Sequence, residues 1–380
     1  MNLALFSEGL RMFRRNLRVK CHGFERYSGS DEEICRKIIE DCWNKEKVYF
    51  QTSAGMNSNY PEFYARDFGM CVEPLIRLGY RTQCEDTVVY AMEQYALHQK
   101  ITVMITPKGL PINFPDTYSP DSVAYFFRIL RITQSKKLIV RNRAFLNAEI
   151  IKFEKNVINP QKGIVAKKHF SGMRDYVIVK ESCYDMIMAC ILCDEIEKIN
   201  RMMRTTTLHN PLKKYALKKN LITYYWNGSY FKNNPTDDTL TGHCNIFPYA
   251  LGIINDKKMI KKSLRAITNA DLDKPFPLRY ERTQTTSKFI WQEIFVSGWE
   301  RDTLWTFLAM PYIEVLSKVD KKRARQELKK YRGLIEEHRG FIEVYDAGGK
   351  PYRSLFFSTE TRMLWACMYL DLKKRLDLKK

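Results

Sequence analysis

The sequence lacks the long apolar runs and the targeting signal that would direct it into or across a membrane. No stretch reaches the roughly 18 apolar residues that a transmembrane helix needs. At the amino terminus, basic residues follow a short apolar stretch in MNLALFSEGLRMFRRNLRVK, and no small-residue cleavage site comes after them. We therefore expect a cytoplasmic protein without a membrane partner.

Motifs for phosphate, metal and nucleophilic chemistry are also absent. There is no GxxxxGK(S/T) loop, no GxGxxG turn after a strand, no HExxH and no GxSxG. Of the ten cysteines, only Cys190 and Cys193 form a CxxC pair, and this pair lies in an apolar helical run without a second pair at zinc-finger spacing. We expect reduced thiols, core packing of Cys190 and Cys193, no metal ion and no cofactor.

What the sequence has in excess is positive charge. Its 63 Lys and Arg against 43 Asp and Glu give a formal net charge of +20. Many basic residues fall in segments with helical spacing, such as NDKKMIKKSLR, NPLKKYALKKN and VDKKRARQELKKYR. We interpret these segments as solvated faces of surface helices, because no recognition module for nucleic acid accompanies them. A non-catalytic basic scaffold that binds nucleic acid is kept as an alternative, although nucleic acid is not the partner we expect.

Apolar helical segments recur about every sixty residues along the chain. Each of the six segments, for example RDFGMCVEPLIRLG and WERDTLWTFLAMPYIEVL, opens with a polar or acidic residue. These opening residues are Asp67, Asp121, Asp185, Asn245, Glu300 and Glu360. Amphipathic, charge-bearing segments alternate with them, beginning with SDEEICRKIIEDCWNK, where Ser30 is the expected N-cap. Helices that are apolar on most faces are buried, and helices with one apolar stripe cover them.

This alternation predicts an all-α, (α/α)6 toroid with six inner and six outer helices and with short β-hairpins on its rim. The period exceeds the roughly 34–47 residues of helical solenoids, and neither end carries a polar capping repeat, which favours closure into a ring. We expect one catalytic domain over residues 1–380, with an N-terminal extension over 1–28 whose helix packs beside the last inner helix. A hairpin turn is expected at Asn227-Gly228.

Acidic and aromatic residues should meet at one mouth of this ring, because all inner helices then run in the same direction. Arg66 and Asp67 stand at the head of the first inner helix, and buried charges need partners. If each acid only capped its helix, the Tyr and Trp residues beside the acids would have no explanation. A cleft of carboxylates and aromatic rings suits a neutral, hydroxyl-rich ligand, and glycoside hydrolysis uses two carboxyls, one protonated and one ionised.

Three stretches resemble the six-hairpin (α/α)6 glycosidases, the superfamily that includes glucoamylases, trehalases, N-glycan glucosidases and neutral invertases. YARDFGM resembles the segment in which Arg and Asp hold the sugar at the cleavage point, here Arg66 and Asp67. VKESCYDMIM resembles the segment that carries the general acid, which implies that Asp185 is the acid. GFIEVYDAGGKPYRS resembles the segment that carries the catalytic base, which implies Glu343.

The resemblance implies a sugar pocket around these residues and no cofactor. The expected substrate-binding residues are Tyr64, Arg66, Asp67, Asp121, Asp175, Trp226, His243, Asn245, Trp299 and Glu300. If Glu343 points away from the mouth, the base is expected to be one of Glu300, Glu360 and Glu181. The implied activity is inverting hydrolysis of a small or terminal glucosyl-type glycoside.

Another sugar-processing enzyme on the same fold, such as an epimerase or a phosphorylase, is the main enzymatic alternative. Epimerases of this shape need histidines in the pocket for proton transfer. Of the six histidines, only His243 lies at the expected start of an inner helix. We interpret His243 as a hydrogen-bonding pocket or core residue, which favours hydrolysis.

Overall fold

A computed structural model describes residues 3–204, 207–282 and 288–376, and these are mostly helical, as the sequence predicts. The helices in chain order are α1 (Leu3–His22), α2 (Asp31–Asp41), α3 (Ala65–Arg77), α4 (Arg81–Leu97), α5 (Pro120–Ile132), α6 (Lys136–Arg141), α7 (Arg143–Val157), α8 (Cys183–Met203), α9 (Leu217–Tyr225), α10 (Phe247–Ala250), α11 (Lys257–Asn269), α12 (Thr306–Ser317), α13 (Lys321–His338) and α14 (Ala366–Arg375). Short 3-10 turns lie at Pro211–Lys214, His243–Asn245 and Trp291–Val296. Within the described segments, no helix is both long and apolar enough to cross a bilayer.

Short antiparallel strands lie between the helices. They are β1 (Trp43–Asn44), β2 (Tyr49–Phe50), β3 (Phe63–Tyr64), β4 (Met104–Ile105), β5 (Pro111–Ile112), β6 (Ile158–Asn159), β7 (Ile164–Val165), β8 (Val177–Ile178), β9 (Lys232–Asn234), β10 (Asp237–Leu240), β11 (Lys288–Phe289), β12 (Leu304–Trp305) and β13 (Val344–Tyr345). β3, β4 and β5 form one sheet, and the others pair as β1–β2, β6–β7, β8–β11, β9–β10 and β12–β13. The expected turn at Asn227-Gly228 is present, with Gly228 at φ +96° between the bridged residues Trp226 and Phe231.

Six helices that are largely buried contact one another in a closed order. α3 contacts α5, α5 contacts α8, α8 contacts α10, α10 contacts α12, α12 contacts α14, and α14 contacts α3 again. They coincide with the six apolar segments of the sequence. On α5, all eight residues from 120 to 127 are buried. A helix that is buried on all faces belongs to the core.

A second set of helices flanks the first. α4 contacts α3, α7 contacts α5, α9 contacts α8, α13 contacts α12, and α2 contacts α14, while α11 contacts the turn His243–Asn245. Each of these helices has one buried stripe. On α11, Ile260, Leu264 and Ile267 are buried, whereas the lysines of NDKKMIKKSLR are exposed. The basic segment therefore lies on a solvated helix face, as interpreted from the sequence.

The two N-terminal buried helices approach closely at a glycine. A Cβ atom placed on Gly69 of α3 would lie 2.7 Å from the Cβ atom of Tyr125 on α5. Real side chains do not tolerate this distance, so the packing of α3 on α5 depends on the missing side chain.

α12 and α14 begin later than the predicted starts at Trp299 and Thr359. Ahead of α14, the Glu343 N–H donates to the carbonyl oxygen of Glu360 at 2.8 Å, and this bond to a neighbouring chain segment replaces helical bonding. Glu300 and Glu360 therefore lie in loops that lead into the helices and not on the first helical turns.

The fourth buried helix is much shorter than CNIFPYALGII predicts. It comprises Phe247–Ala250 and follows a 3-10 turn. Gly252 takes φ +75°, and the N–H groups of Ile253 and Ile254 both turn back to the carbonyl oxygen of Pro248. A glycine in this left-handed conformation ends the helix.

α1 is anchored to the segment that leads into α14. Arg15 forms an ion pair with Glu360 at 3.0 Å, and both side chains are buried. Arg15 also donates to the carbonyl oxygens of Ser358 and Thr359. The sequence predicts this helix beside the last inner helix, and the contacts described here lie just ahead of that helix.

Candidate active site

A cavity of about 70 Å³ lies where the loops leading into the buried helices converge. It is lined by Thr52, Tyr60, Tyr64, Arg66, Asp67, Met173, Asp175, Tyr280, Trp299, Glu300, Trp305, Phe307, Glu343, Met363 and Trp365. Seven of these are among the twelve residues singled out in the sequence: Tyr64, Arg66, Asp67, Asp175, Trp299, Glu300 and Glu343. A larger groove of about 620 Å³ lies on the outside beside α2, where Lys37 pairs with Asp41.

Arg66 in the first turn of α3 is held between two carboxylates. Its Nε lies 2.7 Å from Oδ2 of Asp121, and its Nη2 lies 3.4 Å from Oδ1 of Asp175. Asp121 is fully buried and is not among the residues that line the cavity; it also accepts a hydrogen bond from Ser119. Arg66 is thereby fixed in place, with Asp121 behind it and Asp175 beside it at the cavity wall.

Asp67, the next residue, borders the cavity and has a different environment. Its Oδ1 accepts a hydrogen bond from Nε1 of Trp365 at 2.9 Å. Burial raises the pKa of Asp67 to about 6, while the charge of Arg66 and the Trp365 hydrogen bond oppose the rise. A carboxylate with few protein donors at a cavity wall is suited to accept hydrogen bonds from hydroxyl groups of a ligand.

Asp175 lies in the loop that precedes α8 and faces the cavity with a side chain that is 31% exposed. Burial raises the pKa of Asp175 to about 7; Arg66 opposes this rise and the charge of Asp121 adds to it. A carboxyl with a pKa near neutral carries a proton for much of the time and can donate it. Asp175 can therefore hold and release a proton near neutral pH.

Glu300 holds the loop that carries Asp175. Its two carboxylate oxygens accept hydrogen bonds from the backbone N–H groups of Asp175 and Tyr176, at 2.6 and 2.9 Å. Burial and the nearby Asp175 raise the pKa of Glu300 to about 8, although Arg174 and these N–H groups oppose the rise. Because both of its oxygens are engaged, Glu300 positions the loop in addition to bordering the cavity.

Glu343 lines the cavity from the residue just before β13. Its Oε2 accepts a hydrogen bond from the N–H of Glu360 at 3.0 Å, and it is also hydrogen-bonded to Tyr60. Burial raises the pKa of Glu343 to about 8, whereas both hydrogen bonds lower it because they stabilise the ionised form. β13 pairs with β12, so Glu343 is tied to the entry of α12.

Aromatic rings form much of the cavity wall. Trp299 packs edge-on against Trp305, with ring centroids 5.0 Å apart, and Trp305 contacts Phe307 at 5.6 Å. Phe307 in turn contacts Trp365 at 5.0 Å. On the side of α3, Tyr60 and Tyr64 pack edge-on at 5.8 Å. Such rings give a ligand flat apolar surfaces beside the polar groups.

Asp185 and His243 lie in a second cavity of about 20 Å³. Met173 lines both cavities and stands between them. Burial and the charge of Asp121 raise the pKa of Asp185 well above its usual range. Oδ1 of Asp185 and Nδ1 of His243 have no hydrogen-bond partner among the described residues. The structure thus brings these two residues together, apart from the cavity that holds Glu343.

Trp226 and Asn245 are not among the residues that line either cavity. Trp226 packs edge-on against Phe231 at 5.0 Å. Asn245 is buried, and its side chain bonds to the backbone N–H and carbonyl of Phe231 and to the carbonyl of Thr241. Through these hydrogen bonds, Asn245 stabilises the turn that precedes α10.

Two of the alternatives for the base are placed away from the cavity lining. Glu360 is buried and pairs with Arg15 from α1, and the pKa of Glu360 lies below its usual range because Arg15 and Arg362 outweigh the effect of burial. Glu181 lies 4.0 Å from Lys162 in the segment before α8. Within residues 3–204, 207–282 and 288–376, no group of His, Cys, Asp or Glu is arranged to hold a metal ion.

Eight cavity residues were not singled out in the sequence: Thr52, Tyr60, Met173, Tyr280, Trp305, Phe307, Met363 and Trp365. Four of them, Tyr60, Tyr280, Trp305 and Trp365, are aromatic residues that carry a hydrogen-bonding group. Trp305 and Trp365 directly precede α12 and α14, so a tryptophan just before an apolar helix was the available signal. Tyr60 and Tyr280 lie in loops whose course the sequence does not reveal.

No family model matches the chain, and no curated protein matches it in sequence. Solved structures do share its fold. A glycosidase solved in complex with glucose aligns over 92% of this chain and 98% of its own, with a TM-score of 0.68 at 11% identity. A rhamnosidase from Klebsiella oxytoca with rhamnose bound aligns over 92% of this chain with a TM-score of 0.58 at 11% identity, and this chain spans 65% of it.

A third similar structure is a metal-independent α-mannosidase from Streptococcus pneumoniae, in a non-productive complex with α-1,6-mannobiose. It aligns over 92% of this chain and 94% of its own, with a TM-score of 0.58 at 12% identity. At these levels of identity, the likeness concerns the fold.

Proposed function

We propose that this protein is a glycoside hydrolase built as an (α/α)6 toroid, with its active site in the cavity that joins Asp175 and Glu343. The observation that carries the proposal is the cavity itself, because it combines two carboxyls of raised pKa, an Arg-Asp pair and aromatic walls. The three similar structures named above are a glycosidase, a rhamnosidase and an α-mannosidase, which agrees with this reading.

The toroid is supported by the order of helix contacts. The closed order from α3 through α14 and back to α3, with flanking helices between the members, is what a ring of inner and outer helices requires. In such a ring the inner helices run in parallel, and their N-terminal loops meet at one end. The cavity residues come from these loops, which fits a single domain with the N-terminal helix α1 packed on its outside.

For the general acid we favour Asp175 over Asp185. Asp175 faces the same cavity as Glu343, whereas Asp185 lies in the smaller cavity behind Met173. The pKa of Asp175 near 7 allows it to hold and to donate a proton. The role of Asp185 as the acid stays a prediction from the resemblance, and the experiment below separates the two residues.

For the general base we propose Glu343. This role rests on the resemblance of GFIEVYDAGGKPYRS to the segment that carries the base. The Glu360 N–H and the Tyr60 contact stabilise the ionised form of Glu343 but do not cancel the effect of burial, which leaves its pKa at about 8. Water would be activated by Glu343 and would attack the anomeric carbon while Asp175 protonates the leaving oxygen. This division of roles describes an inverting enzyme, in which two carboxyls stand roughly 6.5–9.5 Å apart to admit the water.

The substrate we propose is a small or terminal glucosyl-type glycoside. A cavity of about 70 Å³ is small beside the roughly 300–1,000 Å³ of typical ligand pockets, which favours one terminal sugar over a long chain. Asp67 would accept hydrogen bonds from sugar hydroxyls, Arg66 would fix their orientation, and Trp299 would offer a stacking face. The glucosyl preference rests on the resemblance of YARDFGM to the glucoamylase superfamily.

The first experiment is a hydrolysis screen with the full chain. Aryl α- and β-glucosides, rhamnosides and mannosides are offered with and without inorganic phosphate, and Glu343→Gln serves as the matched inactive control. We expect release without phosphate from at least one glycoside and no release by the variant. Release that requires phosphate would point to a phosphorylase, and equal release by Glu343→Gln would remove it from the role of base.

The second experiment compares leaving groups, because a good leaving group needs no protonation. Asp175→Asn should lose activity by orders of magnitude on a disaccharide but by much less on the corresponding glycosyl fluoride. Asp185→Asn should lose less on both. If Asp185→Asn instead shows the selective loss on the disaccharide, Asp185 is the acid.

A further inference from the structure

Three segments that are distant in sequence form one exposed apolar surface. They are the outer face of α1, the turn Trp291–Val296 and the loop at 354–357. Their rings form a chain: Phe13 lies 6.4 Å from Phe356, Phe356 lies 5.4 Å from Phe295, and Phe295 lies 6.0 Å from Trp291. Each of the four rings is at least 37% exposed. We call this surface the aromatic patch.

Aliphatic side chains extend the aromatic patch. Leu10 and Leu17 lie on the same face of α1 as Phe13, and both are exposed. Ile294 and Leu355 are 63% and 69% exposed. A contiguous exposed apolar surface of this kind is unusual on a soluble monomer and marks an interaction site.

The segments of the patch are held together by hydrogen bonds. Nδ2 of Asn16 and Nζ of Lys20 both donate to the carbonyl oxygen of Leu355, at 3.0 and 2.7 Å. The hydroxyl of Ser354 donates to the carbonyl oxygen of Phe295 at 3.1 Å. The exposed rings therefore lie on a surface whose three segments are fixed to one another by hydrogen bonds.

The charges beside the patch are basic. On α1, Arg14, Arg18 and Lys20 are exposed around Phe13 and Leu17. The acid on this helix, Glu8, is ion-paired with Arg11. Arg18 also borders a groove of about 380 Å³ that runs between α1 and Arg362.

We propose that the aromatic patch docks the protein onto an anionic lipid surface, which departs from the expectation of no membrane partner drawn from the sequence. A helix with leucine and phenylalanine on its exposed face and arginines beside them matches the segments that lie in a membrane interface, and tryptophan is favoured there as well. A second copy of the chain is disfavoured as the occupant, because two molecules of charge +20 would bring basic surfaces together. Single-stranded nucleic acid binds proteins by stacking its bases on aromatic rings. The exposed aliphatic side chains of the patch would add nothing to such binding.

The patch continues to the wall of the candidate active site. Trp299, which lines the cavity, packs against Phe357 at 4.7 Å and against Tyr352 at 5.0 Å. Docking would therefore hold the cavity near glycosides carried by the lipid surface. This consequence rests on the proposed function, whereas the docking itself does not.

The test is co-sedimentation of the full chain with vesicles of phosphatidylcholine, with or without phosphatidylglycerol. We expect binding to the anionic vesicles that weakens with added salt. The double variants Phe13→Ser/Phe356→Ser and Arg14→Glu/Arg18→Glu should each reduce the partition by about tenfold or more. Matched controls on other helices, Leu97→Ser and Lys257→Glu/Lys258→Glu, should bind as the unaltered chain does.

Failure of the unaltered chain to bind anionic vesicles would overturn the proposal, as would an equal loss in the control variants. Dimers in sedimentation velocity that dissociate in the patch variants would identify a second copy as the occupant and would also overturn it. Circular dichroism confirms that the variants fold. Hydrolysis of a soluble aryl glycoside should be unchanged in the patch variants, so the docking result and the enzymatic result are read separately.

Discussion

At the scale of single residues, two acids beside Arg66 differ in what they contact. Asp121 is fully buried and pairs with Nε of Arg66, whereas Asp67 borders the cavity and accepts a hydrogen bond from Trp365. Both were expected to bind substrate. The contacts suggest that Asp121 acts through Arg66 and that Asp67 is the residue available to a ligand.

Replacing Asp67 by Asn should therefore leave stability almost unchanged and reduce kcat/KM by orders of magnitude. Asn keeps an oxygen that can accept the Trp365 hydrogen bond, so the change in unfolding free energy should stay within about 1 kcal/mol. The matched variant is Asp121→Asn, which weakens a buried ion pair and should cost about 3 kcal/mol. Urea unfolding and steady-state kinetics measure the two effects. A large stability loss in Asp67→Asn with full activity would make Asp67 a structural residue.

The raised pKa of Asp175 predicts how stability depends on pH. In the unfolded chain the pKa of an Asp is near 4, and in the folded protein that of Asp175 is about 7, so the folded state binds its proton more tightly. This contribution is fully present below about pH 4 and is lost as the pH rises to about 7. Asp175→Asn avoids the loss and should be more stable than the unaltered chain at about pH 8, with a smaller difference at about pH 5.

Urea unfolding at the two pH values measures this difference. The control is Asp238→Asn, because the Asp238 side chain is 80% exposed and its replacement should have little effect at either pH. An Asp175→Asn variant that is less stable than the unaltered chain at alkaline pH would contradict the assigned environment of Asp175.

The sequence identified several cavity residues because the polar starts of apolar helices converge. Arg66, Asp67 and Trp299 were found in this way and line the cavity, whereas Glu343 was implied by the resemblance of GFIEVYDAGGKPYRS to a glycosidase segment. Asp175 was expected to bind substrate and lines the cavity, but the role of the acid was given to Asp185, which follows it in the chain. Which of two acids near one helix start reaches the cavity depends on the course of a long loop, and no periodic pattern encodes that course.

At the scale of helices, the contact between α3 and α5 depends on Gly69. Gly69→Ala should destabilise the protein by about 1–3 kcal/mol, because the added Cβ would lie 2.7 Å from Tyr125 and the two helices would have to separate. Gly333→Ala on α13 is the matched control, because nothing lies within 4 Å of a Cβ at that position. It should stabilise the protein by up to about 1 kcal/mol through helix propensity. Thermal unfolding of both variants is the measurement, and equal effects would contradict the close approach.

The positions of the buried helices could be predicted from the sequence, but the residues at which they begin and end were harder to predict. The apolar periodicity marks all six buried helices, yet α12 and α14 begin later than expected and α10 is short. In α10 a sequence signal was present, since Gly252 follows Pro248 within the apolar run. Ahead of α14, the cause is a backbone bond to the distant Glu343, which no local pattern reveals.

At the scale of the whole molecule, the closed order of contacts predicts one cooperative unit. α14 contacts both α2 and α3, so the two ends of the chain support each other. Urea unfolding followed by far-UV circular dichroism and by tryptophan fluorescence should therefore give coincident transitions. Tryptophans lie near both ends of the chain, at Trp43 and Trp365 among others, so fluorescence reports on both ends of the chain. Two separated transitions would indicate two domains and would contradict the single-domain proposal.

The most direct test of the central claim is the configuration of the first sugar released. Proton NMR follows the anomeric signal when the unaltered chain, or its Glu343→Gln variant, acts on a glycoside identified by the screen. The account predicts that the unaltered chain releases sugar of inverted configuration before mutarotation, and that Glu343→Gln releases none. Release with retained configuration, or undiminished release by Glu343→Gln, would contradict it.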